Sequence, residues 1–207
     1  MRRILTALGV TAAMSGAASA DDGFYGKYET PRYEVVRQVG DAEVRAYAPH
    51  ILAVVAVEGD QSGALNRGFR VLAGYIFGGN DGGASVAMTA PVTQSSTNIA
   101  MTAPVGQSET DGVWTVTFMM PRDFTVATLP APDNAAVRFV EIPAKSMIAL
   151  EFSGRATTRA LEARTAEIIQ IAGDAGLDTT GTPVFMFYDD PFTLPFNRRN
   201  EVAFELR

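Results

Sequence analysis

Apolar and polar positions alternate along most of this chain with a period near two, and two stretches switch to a period near 3.6. Tyr33 to Val39 and Glu43 to Tyr47 read as two strands around the turn pair Gly40-Asp41. Ile51 to Val57 is nearly all apolar and rich in valine, which predicts a strand covered on both faces. Val113 to Met119 alternates cleanly, so Trp114, Val116 and Phe118 are expected in the core with Thr115 and Thr117 on the other face. Val137 to Ile142, Met147 to Phe152, Val184 to Tyr188 and Glu201 to Leu206 complete the predicted strands.

The first helical stretch places Leu65, Phe69, Leu72 and Ile76 on one face, with Ser62 as its cap and Gly78-Gly79 as its stop. The second starts near Thr158, repeats the spacing through Leu161, Thr165, Ile168 and Ala172, and ends at Gly173 and Gly176. Two repeats run across this pattern. The phrase Ala-Met-Thr-Ala-Pro-Val occupies residues 87–92 and again 100–105, each copy reading as a strand end closed by proline, with Thr93 to Asn98 as an exposed loop. On a larger scale, Pro49 through Gly59 into Ala64-Leu65 matches Pro143 through Gly154 into Ala160-Leu161 with one residue inserted. A duplicated strand and helix unit predicts an α+β chain whose antiparallel sheet or open barrel carries both helices.

Composition changes this picture at the N-terminus. Arg2 and Arg3 precede the apolar run Ile4 to Met14 and the small residues Ala18-Ser19-Ala20, the pattern of a secretory signal peptide over residues 1–20 cleaved before Asp21. The run is too short to span a bilayer, so export to the periplasm without stable membrane insertion is expected, leaving residues 21–207 as one domain. The chain has no cysteine, which excludes disulfides, thiolate metal ligands and covalent haem attachment. Removing Arg2 and Arg3 leaves a net charge of about −8 and no basic stripe, so nucleic acid is not an expected partner.

Candidate chemistry is sparse. His50 is the one histidine, beside a proline at a strand start, so neither a histidine zinc site nor a serine-histidine triad with a spare can be built. Glu201 follows Arg198 and Arg199 inside the last strand and reads as an acid paired to arginine; Asp189-Asp190 reads as solvated loop. The glycine-rich tract from Gly78 to Gly83 lacks a following Lys-Ser/Thr and reads as a connection, not a phosphate cradle. Met88, Met101, Met119, Met120, Met147 and Met186 fall in predicted strands, where methionine fills irregular cores and also makes a soft wall or an iron ligand. Weak metal-ligand candidates are therefore His50, Met88 and Met101.

Several stretches together resemble the SOUL haem-binding family, in particular its exported bacterial members. They are Tyr33-Glu34-Val35, Glu43-Val44-Arg45-Ala46-Tyr47 ahead of Pro49, the doubled six-residue phrase, Met120-Pro121, Phe152-Ser153-Gly154, and Pro191 leading into Arg198-Arg199-Asn200-Glu201-Val202. The similarity runs from about residue 28 to the C-terminus. It implies a distorted antiparallel β-barrel with two flanking helices and a pseudo-two-fold repeat, and non-covalent binding of haem or another tetrapyrrole. One branch of the family ligates through a histidine directly before the tyrosine of the Arg-x-Tyr strand; that position is Ala46 here, so His50 does not inherit the role. Another branch uses a shallow apolar pocket between the first helix and the last loop. Its apolar positions fall on Leu65, Phe69, Leu72, Ala73 and Phe192, with Arg67 and Arg70 nearby on the helix as candidate propionate partners. A carrier or buffer is thus expected in preference to an enzyme. The alternatives are a small-molecule hydrolase using Glu201 and a tyrosine, or an interaction module without ligand.

Overall fold

A computed structural model describes residues 19–20, 22–96, 112–190 and 192–207. In chain order the strands are β1 (Ser19–Ala20), β2 (Phe24–Tyr25), β3 (Tyr28–Glu29), β4 (Tyr33–Val39), β5 (Ala42–Tyr47) and β6 (His50–Glu58). Helix α1 (Gln61–Ile76) then precedes β7 (Val92–Ser95), β8 (Val113–Met119), β9 (Arg138–Ile142) and β10 (Lys145–Phe152). Helix α2 (Thr158–Asp174), β11 (Thr179–Phe187) and β12 (Asn200–Leu206) complete the chain. The α+β class expected from the sequence is present. Ten strands form one sheet in the order β1-β4-β5-β10-β12-β11-β7-β8-β6-β9, every pair antiparallel, and β2 pairs with β3 in a separate hairpin. Among the described residues no helix is long and apolar enough to cross a membrane.

Strand alternation sorts the side chains into two faces. One face packs under the helices: Val55, Leu72, Ile76, Val116 and Phe118 form a core beneath α1, and Ile148, Leu150, Leu161, Ile168, Val202 and Phe204 form another beneath α2. The opposite, inner face carries Tyr47, Met147, Met186, Tyr188 and Ala203. Thr115 and Thr117 also lie on this inner face and are 4% and 3% exposed, so β8 is buried on both sides. Its alternation marks two environments inside the protein, with hydroxyls lining one of them.

Helix α1 begins at Asp60, whose carboxylate accepts from the Gly63 N–H at 2.9 Å; this residue, and not Ser62, is the cap. The buried stripe is Ala64, Gly68, Leu72, Tyr75 and Ile76. Gly68 lets the helix lie directly on β8, because a Cβ at this position would stand 2.6 Å from the Cβ of Val116. The close approach turns the helix relative to the expected stripe, leaving Leu65 half-buried and Phe69 37% exposed on its flank. Helix α2 is capped by Thr157 and buries Leu161, Ile168 and Ala172 as its spacing predicts.

The first copy of the six-residue phrase does not end a strand. It contains the cis Ala90–Pro91 peptide and leads into β7, so Thr93 to Ser95 are strand residues rather than loop. The second copy, with Met101, lies outside the described residues. Before β4, the β2–β3 hairpin folds across the inner face, where Tyr25 meets Tyr188 edge to face at 5.3 Å. Glu29 forms an ion pair with Arg122, fastening the hairpin to the segment after β8.

Candidate functional site

The Arg198 to Val202 stretch places Glu201 on the inner face of β12, opposite Glu151 on β10. Glu201 is 0% exposed. Its carboxylate receives Arg45 at 2.8 and 3.2 Å, Arg199 at 2.6 and 3.1 Å, and the Tyr188 hydroxyl at 3.0 Å. Arg45, also buried, donates to Glu43 at 2.8 Å and to the Tyr47 hydroxyl at 3.1 Å, while Arg199 pairs with Glu151 at 3.2 Å. Burial alone would raise the pKa of Glu201, but the two guanidinium groups reverse that and hold the carboxyl below its ordinary value. Burial raises the pKa of Tyr188 well above its ordinary value, and the charge of Glu201 adds to the effect. The acid that the sequence marks as arginine-paired is therefore ionised, fully satisfied and sealed under tyrosines.

A groove of about 180 Å³ lies between α1 and the chain leaving β11, lined by Leu65, Asn66, Phe69, Met88, Val92, Phe187, Tyr188, Asp189 and Asp190 among others. Of the residues named from the sequence, Leu65 and Phe69 line it, and Phe69 rests edge to face on Phe118 at 5.4 Å. Met88 of the repeated phrase lines it too. Phe192 stands outside, 94% exposed, its N–H donating to Asp190 at 2.8 Å. Asp189 accepts from the Tyr25 hydroxyl and from the Arg199 N–H, which fixes the groove wall to the ionic cluster.

Other named residues are elsewhere. Leu72 is 0% exposed in the core beneath α1, where the expected and observed stripes of the helix coincide, and it does not line the groove. Ala73 is half-buried and Arg70 exposed, and neither lines the groove. Arg67 turns back along the helix to donate to the Glu58 carbonyl. His50 is not in the groove; its Nδ1 is bonded to the Ala48 carbonyl at 2.9 Å, and it lines an inner-face cavity of about 440 Å³. Burial lowers the pKa of this imidazole. No group of three or more metal-ligating side chains is assembled among the described residues.

The inner-face cavity is the feature that strand patterning missed. Tyr47, Thr93, Thr117, Met119, Met147 and Met186 contribute to its wall. The signal for it lies in β8, where the threonines alternate with core residues and mark a second environment that alternation alone does not identify as solvent or interior.

A ten-stranded antiparallel sheet with two helices on one face, and a recess on either side of it, is the frame that positions these residues. The chain belongs to the SOUL heme-binding protein family, whose model matches residues 28–205. Family membership implies haem binding. Among solved structures, the C-terminal domain of EcmrR is similar with a TM-score of 0.56 and 13% identity, covering 80% of this chain and 96% of that one. A hydrolase from Listeria innocua gives a TM-score of 0.53 and 15% identity over 81% of this chain and 92% of its own. An uncharacterized conserved protein from the same organism gives 0.56 and 15% over 83% and 95%. At these identities the likeness is one of fold. No curated protein matches the chain.

Proposed function

We propose that this protein is an exported, periplasmic carrier or buffer that holds haem or another tetrapyrrole without covalent attachment in the groove beside α1. The observation that carries the reading is the pairing of an open apolar groove, walled by Leu65, Phe69, Met88 and Phe187, with the almost fully exposed Phe192 at the end of the adjacent loop. These residues fit a flat apolar guest: the groove takes one edge of a macrocycle, and Phe192 is available to cover a ring face. Exposed aromatics beside a recess are what such a guest needs and what an empty surface avoids. Met88 is the sulfur donor in the groove, so an iron ligand from this site would be a thioether. Arg70, bonded to the carbonyl of the groove residue Asn66 one turn earlier on α1, is the cation this reading assigns to a propionate reaching beyond the groove.

Burying roughly 400 Å² of porphyrin at ~25 cal/mol per Å² yields about 10 kcal/mol before association costs, which corresponds to affinity on the order of micromolar after them. Iron contributes little to such binding. Titrating the mature protein with haemin and with iron-free protoporphyrin tests this: similar micromolar affinities are expected, and absence of saturable binding of either would overturn the groove as a site.

The signal peptide over residues 1–20, one domain over 21–207, and closure of the sheet toward a distorted barrel by duplication belong to the same reading. Supporting the duplication, the strand order runs β5-β10-β12-β11 from one side and β9-β6-β8-β7 from the other, so the two strand and helix units meet at β11 and β7. N-terminal sequencing of the secreted protein, expected to start at Asp21, checks the export step.

A further inference from the structure

The inner-face cavity is walled by strands from both halves of the sheet, and its volume of about 440 Å³ lies inside the range of small-molecule sites. Its chemistry differs from that of the groove in three respects.

First, the wall bears a row of hydroxyls from Thr93, Ser95, Thr115, Thr117 and Thr182. Thr93 and Thr117 bond to each other, sharing one hydrogen and keeping the other for a guest oxygen. The bulge between Thr180 and Val184 on β11, with Gly181 at φ +74°, brings Thr182 into this wall. Second, Met119, Met147 and Met186 supply adaptable apolar surface. Third, among the described residues no uncompensated charge lines the wall. Tyr47 and Tyr188 belong to it, whereas Glu201, Arg45 and Arg199 behind them do not. Tyr188 donates to Glu201, and Tyr47 accepts from Arg45, so the tyrosines close off the ionic cluster. At the rim Lys145 and Glu205 pair at 3.6 Å. His50 donates Nδ1–H to Ala48, which leaves Nε2 an uncharged acceptor.

We infer that this cavity is a second binding site, separate from the groove beside α1, for an uncharged apolar small molecule carrying a hydroxyl, carbonyl or amine group. Among the described residues a cation finds no free carboxylate inside, and an anion, including a porphyrin propionate, finds only Lys145 at the rim, already paired with Glu205. Desolvating either without a partner is far more costly than desolvating a neutral group that the threonines can satisfy.

The test uses the mature chain and three fluorescent probes: neutral N-phenylnaphthylamine, its sulfonated relative anilinonaphthalene sulfonate, and cationic rhodamine. The neutral probe is expected to bind saturably at one site, at least tenfold tighter than either charged probe, and to stay bound when haemin is added. Two plugs report the location. Ala144→Trp, at an exposed position on the cavity rim, and Thr182→Phe, on the half-buried bulge, should each weaken the neutral probe at least tenfold and leave haemin affinity unchanged. The inference is overturned by no saturable neutral-probe binding, by a charged probe binding as tightly, by competitive displacement with haemin, or by both plugs folding with probe affinity intact. Haemin titration of the same samples separates failure here from failure of the groove.

Discussion

The groove beside α1 and the cavity on the inner face share Tyr188 in their walls, and neighbouring residues of β7 divide between them, Val92 to the groove and Thr93 to the cavity. One is shallow and rimmed by exposed aromatics; the other is walled by hydroxyls and thioethers with a neutralised ionic cluster behind it. The difference comes from the strand period: residues one apart face opposite sides, so one sheet can serve two unlike guests. Shape also separates them. The groove depends on a helix flank and a loop, whereas the cavity depends on strands pinned by the Arg45, Glu201 and Arg199 cluster.

That dependence is most severely tested at Glu201. Glu201→Gln removes the charge that compensates two guanidinium groups, one of them buried, and is expected to cost about 3–5 kcal/mol in urea denaturation. Replacing both partners, Arg45→Met with Glu201→Leu, should recover most of the loss, because Arg199 retains Glu151 at 3.2 Å. If the pair of substitutions is no better than the single one, the cluster is not the strut argued here. The pH dependence carries the same signature from both ends. The folded pKa of Glu201 lies below its ordinary 4.5, so its contribution is complete above that value and is lost as pH falls below it. The folded pKa of Tyr188 lies above its ordinary 10.0, so its contribution is complete below pH 10 and is lost as pH rises beyond it. Stability measured against pH should therefore fall on both flanks, with the acid flank flattened in Glu201→Gln.

Next in size is Gly68→Ala. The added methyl would overlap Val116, and overpacking of this kind costs about 1–3 kcal/mol. The displacement falls on α1, which carries Leu65 and Phe69, while Thr115 and Thr117 on either side of Val116 face the other way. Haemin affinity should therefore fall more than neutral-probe affinity, as paired titrations of the variant would report. Equal losses would mean that the two recesses are mechanically one.

Much of this arrangement is legible in the chain. Period-two stretches locate the long strands but not β7, and period 3.6 locates both helices, because those patterns record which face meets apolar neighbours. The α2 stripe needed no revision. The α1 stripe did, since Gly68 sets helix rotation through a contact with Val116 that no local pattern encodes. Glu201 was recognisable as an arginine partner from Arg198-Arg199, but Arg45 lies 156 positions away and enters only through the pairing of β5, β10 and β12. The threonines of β8 were misplaced for a related reason: alternation separates two faces without saying that the polar one is solvent. Leu72 packs in the core beneath α1, whereas Leu65, Phe69 and Met88 meet in the groove.

The smallest expected effect is also the most selective. Phe192 is 94% exposed, and its backbone is held by the Asp190 carboxylate, which accepts from both the Phe192 and Thr193 N–H groups. Phe192→Ala removes almost no buried surface from the folded protein, so unfolding midpoints should match those of the parent within error. A bound macrocycle changes that balance, because the ring then has a face to cover, and losing such a contact is worth about 1 kcal/mol, or roughly fivefold in affinity. Haemin and protoporphyrin should weaken alike, since no bond to iron is involved, while the neutral probe of the inner cavity should be unaffected. A loss confined to haemin would instead point to the loop acting on the metal. No loss for either porphyrin would leave the exposed ring without a part in the groove, and the site would then rest on Leu65, Phe69 and Met88 alone.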